Sequence, residues 1–405
     1  MGTKLADDHP HAQGIRTLLT AALAIFVVTV VIGILNGTDL VDFDHKTLMG
    51  HVHSGTLGWI SLSVIAASLW LFADDNDRDP IAAALPGASI VAVSAYVAAF
   101  FLTLGVMRPL TGTLVLIVMV AMIAWVGSRA SQVVLSVPRL GMLAALTTLA
   151  VGAVLGVLLG LELAGTIDFL PDGAYDAHPA TMVVGFLVPT GMALAEWRLT
   201  PDTLEIVADR AGRTQIAAPF IGGVLLMIGS LFDVAPLIAL SLPLEITGVV
   251  ILVRRLRKPI GDIDWSRDGW ERGSAATVFF LVAVLTVFTY IIGRYKGEVD
   301  DAPIRLLLAV DHMTFIGVMT NALFGRVHAA GRDEGTHPLD NWIFWGMNAG
   351  IVVFALGLLG DVVALKRIGA PVMGTALLTG IVIMAMRLVG PGSSPRRDLD
   401  RPALR

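Results

Sequence analysis

The chain contains no cysteine. Disulfides, iron–sulfur clusters and thiolate-ligated metals are therefore excluded. Charge is scarce as well: Asp, Glu, Lys and Arg make up 15% of 405 residues, against about 25% in soluble domains. The net charge of −5 is small and points to no nucleic-acid partner. Long polar stretches are missing, which leaves little room for a soluble domain. The N-terminal "MGTKLADDHPHAQGIR" has no cleavage-site pattern and reads as a cytoplasmic tail rather than a secretory signal. Its Leu5 and Ala6 do not complete a myristoylation motif.

What fills the chain is apolar: 55% of residues are hydrophobic. Uninterrupted runs long enough to cross a bilayer recur from end to end. Polar punctuation predicts twelve spans, at 15–36, 46–73, 80–105, 109–127, 139–163, 177–198, 214–232, 235–254, 274–294, 303–327, 341–360 and 369–390. The expected fold is all-α, a polytopic membrane protein with tails at 1–14 and 391–405. Pro189 and Pro243 lie inside spans, where membranes tolerate them. With the N-terminus inside, 20 of the 28 Lys and Arg fall in inner segments and seven in outer ones. That bias places both termini in the cytoplasm of a bacterial-type membrane.

Three spans open alike. The second begins "DHKTLMG", the sixth "DAHPATMVVG" and the tenth "DHMTFIG". His45, His178 and His312 lead them, at intervals of 133 and 134 residues, close to a third of the chain. The spacing predicts three four-helix units, 15–127, 139–254 and 274–390, each giving a histidine at the outer end of its second helix. Such histidines are either wet at the headgroup level or gathered at one metal or haem site.

The stretch "DHKTLMGHVHSGTLGW" holds two further histidines, His51 and His53. Two residues apart on a helix, they point about 200° apart. They cannot chelate one metal, but they can serve neighbouring sites on opposite faces, or form a polar packing patch. Glu245 falls near mid-membrane, where a carboxylate acts in a proton relay or cation site, or packs protonated. Asn321 and Asn348 suit interhelical hydrogen bonds. Arg254, Arg255, Arg257 and Lys258 suit anionic lipid. His328, near Arg326, is too far along its helix to share a site with His312. His9, His11 and His337 read as solvated.

"HVHSGTLGW", 51–59, resembles the HxH helix of haem–copper oxidase subunit I, especially the cbb type. Twelve spans with histidines on the second, sixth and tenth also resemble that superfamily. "HKTLMG", "HMTFIG" and "FGRVHAAGR" are similar to the NnrS family of twelve-span haem- and copper-containing proteins linked to nitric oxide. The resemblance implies a b-type haem, with copper as a second metal. Carried over, His51 is the high-spin ligand and His53 the low-spin one. In the oxidases that motif lies on the tenth helix, and copper takes one histidine from helix six and a tandem pair from helix seven. Here His178 matches the first, while the seventh span has no histidine, so an oxygen-reducing centre is not expected.

The resulting expectation is a haem-binding membrane protein, an oxidoreductase tied to nitric oxide or electron transfer. His53 and His312 form its axial pair, with His51 and His45 as further haem ligands and His178 as the metal ligand. Asp44 and Asp311 orient imidazoles, and Glu245 relays protons. Its partners are the bilayer and a quinol or separate electron-donor protein. The competing expectations are a secondary transporter built around Glu245 and a relative that keeps the scaffold but senses or assembles.

Overall fold

Backbone N–H and C=O groups find no water in hydrocarbon, so an apolar run must satisfy them internally as a helix. Among the described residues twelve such helices form: α1 Ala12–Gly37, α2 His45–Phe72, α3 Pro80–Phe101, α4 Met107–Ala130, α5 Val137–Leu163, α6 Ala174–Leu199, α7 Arg210–Leu231, α8 Ala235–Gly261, α9 Glu271–Arg294, α10 Ile304–Ala330, α11 Asp340–Leu359 and α12 Val363–Val389. This computed structural model describes residues 4–74, 78–102, 106–266, 270–295, 301–332 and 337–390. The C-terminal tail expected at 391–405 lies outside the described residues. All regular structure among them is helical.

Helix ends follow short-range chemistry. Asp79 and Asp209 accept from the Ile81 and Gly212 N–H groups at 2.8 and 2.7 Å, capping α3 and α7. Asp39, Asp233, Asp361 and Gly165 turn the chain after α1, α7, α11 and α5 with φ of 57, 52, 56 and 67°. Asp is among the few side chains that tolerate this left-handed region. Two helices outrun their apolar windows. α8 continues through Arg254–Lys258 to Gly261, and α12 begins at Val363, ahead of Lys366 and Arg367. Lys and Arg are good helix formers, so the helix need not stop where the hydrocarbon does.

α2, α6 and α10 are the most buried of the twelve and stand at the centre. Each packs on the helix before it, α1, α5 or α9. The pairs α3/α4, α7/α8 and α11/α12 form hairpins. α4 then meets α5, α8 meets α9, and α12 returns to α1, closing the ring. Without a hydrophobic drive in lipid, close backbone approach does much of the packing. In α11/α12 a Cβ on Gly350 would meet the Met373 backbone nitrogen at 2.5 Å. The N-terminal residues are part of this body rather than a free tail. Leu5 is buried and its N–H donates to Ala329 O at 2.9 Å. His11, expected in solvent, is buried beside Trp125 at 6.3 Å.

The α1–α2 turn is clasped to α12: Lys366 Nζ and Arg367 Nε donate to Asp39 at 2.6 and 2.9 Å. These two hydrogen bonds hold the Asp39 carboxyl below its ordinary range. A lowered folded pKa stabilises above the unfolded value, near 4, and the contribution is lost as pH falls through the folded value. Asp39→Asn is therefore expected to lower the melting temperature at neutral pH and to match wild type in strong acid. A difference between the two that persists unchanged into acid would contradict the clasp.

Candidate functional site

Each central helix is interrupted by a π-helical segment: Ser54–Ser61 in α2, Thr181–Leu187 in α6 and Met313–Thr320 in α10. Such i→i+5 segments are rare and recur at functional sites. Hydroxyls five residues on donate back, Ser61 to Thr56 O and Thr320 to Phe315 O, both at 2.9 Å. The fifth residue of every segment is glycine, Gly58, Gly185 and Gly317. Each is packed against the preceding helix, at Ile25, Thr148 and Phe280.

These segments set a register that differs from the Asp-His one. His45 is the first residue of α2, whereas His178 is the fifth of α6 and His312 the ninth of α10. The three do not occupy one position. Counted from the π segments, His53 and His312 come one residue before the first and third, and Ala180 holds that place in α6. His51 and His178 come three residues before the first and second, and Val310 holds that place in α10.

Side-chain surroundings follow the same two classes. His51 Nδ1 bonds the Thr29 carbonyl of α1 at 2.9 Å, and His178 Nδ1 bonds the Gly152 carbonyl of α5 at 2.9 Å. One turn on from each carbonyl, a glycine makes room: a Cβ on Gly33 would reach His51 at 3.3 Å, and one on Gly156 would reach His178 at 3.0 Å. His53 and His312 bond carbonyls of their own helices, Met49 O at 2.8 Å and Leu308 O at 2.7 Å. A carbonyl only accepts, so all four Nδ1 atoms carry the proton and all four Nε2 atoms present a lone pair. No Nε2 of the four has a hydrogen-bond partner among the described residues.

His51 and His312 lie within range of each other's charge, as do His53 and His178. From α2, His51 turns to Thr29 of α1 and His53 to Phe100 and Tyr96 of α3. The wall of the second pair is aromatic: His53 stacks on Phe100 at 4.1 Å and meets Tyr96 edge-on at 5.6 Å. Arg108 lies over Phe100 at 4.8 Å and within charge range of His53. The first pair has Phe354, 5.0 Å from His312. Sequence reasoning missed Arg108, Phe100 and Tyr96, because only their packing marks them.

The remaining candidates stand apart. His45 is exposed. Asp44 caps its own helix: Thr47, through its side chain and through its N–H at 2.8 Å, holds the carboxylate below its ordinary range. No hydrogen bond joins Asp44 or Asp311 to an imidazole, since main-chain carbonyls fill the orienting role expected of them. Glu245 is buried in α8 with Oε1 unpartnered, and Ser241 Oγ one turn earlier is unpartnered too. Asn321 and Asn348 bond each other at 2.8 and 3.1 Å across α10 and α11. No group of three or more His, Asp or Glu suited to one metal ion occurs among the described residues. The sequence matches no family model and no curated protein.

Proposed function

We propose that the chain is a haem-binding integral membrane protein that transfers electrons, with two axial pairs: His51 with His312, and His53 with His178. One observation carries the reading. Four imidazoles are fixed by Nδ1–H bonds to carbonyls, which leaves four Nε2 lone pairs for ligation. The donor set fits a planar macrocycle with two axial nitrogens. It does not fit a copper centre of three histidines, since no group of three metal-binding side chains occurs among the described residues. Bound haem supplies a one-electron couple.

The chain's own groups set the rest. The carbonyls of Thr29, Met49, Gly152 and Leu308 fix ring orientation. Phe100 and Tyr96 pack on His53 and Phe354 on His312, and Arg108 would offer a counter-charge to an acidic ring substituent. A haem held by an imidazole on each side would leave no site for a gas, which favours electron transfer over reduction of oxygen or nitric oxide. The repeat helps to explain why there are two sites. Pairs arise where one unit meets the next, and at the third junction the equivalent places hold Ala180 and Val310. A quinol or a separate protein would donate the electron.

Haem extraction from detergent-purified protein tests the reading. Two haems per chain are expected, and a colourless protein made with ample haem supply would overturn it. A second reading, a secondary transporter, is favoured only by the unpartnered carboxylate oxygen of Glu245. Under it, Glu245→Gln abolishes proton- or sodium-coupled uptake into vesicles. Under the haem reading, the same variant leaves the spectrum of the purified protein unchanged.

A further inference from the structure

At the other end of α10, far along the helix from His312, Arg326 is 2% exposed. Its Nε, Nη1 and Nη2 all lack a hydrogen-bond partner among the described residues. Arginine does not shed its proton in proteins, so this is a buried, uncompensated cation. One side of it is covered: the guanidinium carbon lies 4.1 Å from the Trp197 ring centre, and Trp70, packed edge-on against Trp197 at 5.0 Å, is 5.8 Å away. Cation–π contact offsets part of the burial. It leaves the in-plane N–H groups without an acceptor.

Its neighbour Trp197 is a donor too. The indole N–H of Trp197 and the Nε of Arg198 have no acceptor. Trp270, whose indole N–H is also unpartnered, lies 5.7 Å from Phe324 and 6.3 Å from His328. The ion pairs nearby do not supply the missing charge. Glu271 is engaged by Arg198 at 2.5 Å, and Asp340 by Arg387 at 2.7 Å. Both acidic groups have arginines of their own, and Arg326 remains in excess.

We propose that the unpartnered guanidinium edge of Arg326, backed on one side by Trp197, is a binding site for a small oxyanion, a carboxylate or a phosphate. Such an anion presents two oxygens to a guanidinium edge, the geometry a fork of N–H donors recognises. The Trp197 face covers one side of the fork, so the anion is held at its edge. The site is independent of the imidazole pairs.

Detergent-purified full-length protein, exchanged into an oxyanion-free chloride buffer of fixed ionic strength, is titrated with acetate and with inorganic phosphate. Tryptophan fluorescence and melting temperature are followed together. A saturable fluorescence change and a rise in melting temperature are expected with at least one of the two. A hundredfold excess over Kd favours the folded state about a hundredfold. Arg326→Met should lose both responses, and without anion it should melt no lower than wild type because an unpaired buried charge has been removed. Arg326→Lys keeps the cation but not the planar fork and should weaken the response several-fold, which decides the matter if Arg326→Met fails to fold. Repeating the titration after adding vesicles containing phosphatidic acid separates a lipid phosphate, which would block the free anion, from a soluble one, which it would not. No saturable response to either probe, or an equal response in Arg326→Met, would overturn the proposal.

Discussion

Replacing His178 with alanine is expected to remove about half of the low-spin haem signal and leave the other half intact, because a six-coordinate bis-imidazole centre needs both axial ligands. His53→Ala should deplete the same half, and His51→Ala and His312→Ala the other. The partition follows from α2, whose two histidines face opposite neighbours, so no single substitution touches both pairs. A packing role would give a different pattern, with similar loss of fold from all four. Ligation can also be probed with the histidines in place. Gly156→Leu would drive a side chain into the ring of His178, and Gly33→Leu into that of His51. Each should shift the spectrum of its own pair alone.

Arg387→Met is expected to be the most destabilising single change away from the imidazoles. Arg387 Nη2 donates to Asp340 at 2.7 Å, and both side chains are buried. Asp340 also accepts the His337 N–H at 2.8 Å. Removing the cation leaves a carboxylate buried without its counter-charge, at a cost of roughly 3–5 kcal/mol. Removing both charges, in Arg387→Met with Asp340→Leu, should recover much of that loss. Unfolding midpoints of the two single variants and the double variant in one detergent would measure the coupling. Additive single effects would contradict the pair.

The twelve spans were legible because hydrocarbon thickness fixes the length of an apolar run. The opposed faces of His51 and His53 were legible because two residues span more than half a helical turn. The register of the three openings was not. Counting from Asp-His assumes unbroken α-helix, while the π segments, and the different numbers of residues preceding them, shift each histidine along its helix. Gly58, Gly185 and Gly317 were the better markers, but nothing in a sequence says which glycine sits fifth in a π segment. The groups that orient the imidazoles are main-chain carbonyls, which carry no residue signature, so the acidic residues beside the histidines drew the expectation instead. Arg326 reads in sequence as an ordinary arginine at a helix end. Its isolation becomes visible only when Trp197, 129 residues earlier in the chain, packs on its face.

The most direct measurement is the electron paramagnetic resonance spectrum of the oxidised, purified protein, recorded for wild type and for the four histidine-to-alanine variants. Two low-spin ferric signals are predicted, one lost in both His51→Ala and His312→Ala, the other lost in both His53→Ala and His178→Ala. A single signal lost together in His53→Ala and His312→Ala, or no low-spin signal from haem-replete wild type, would contradict the proposed pairs.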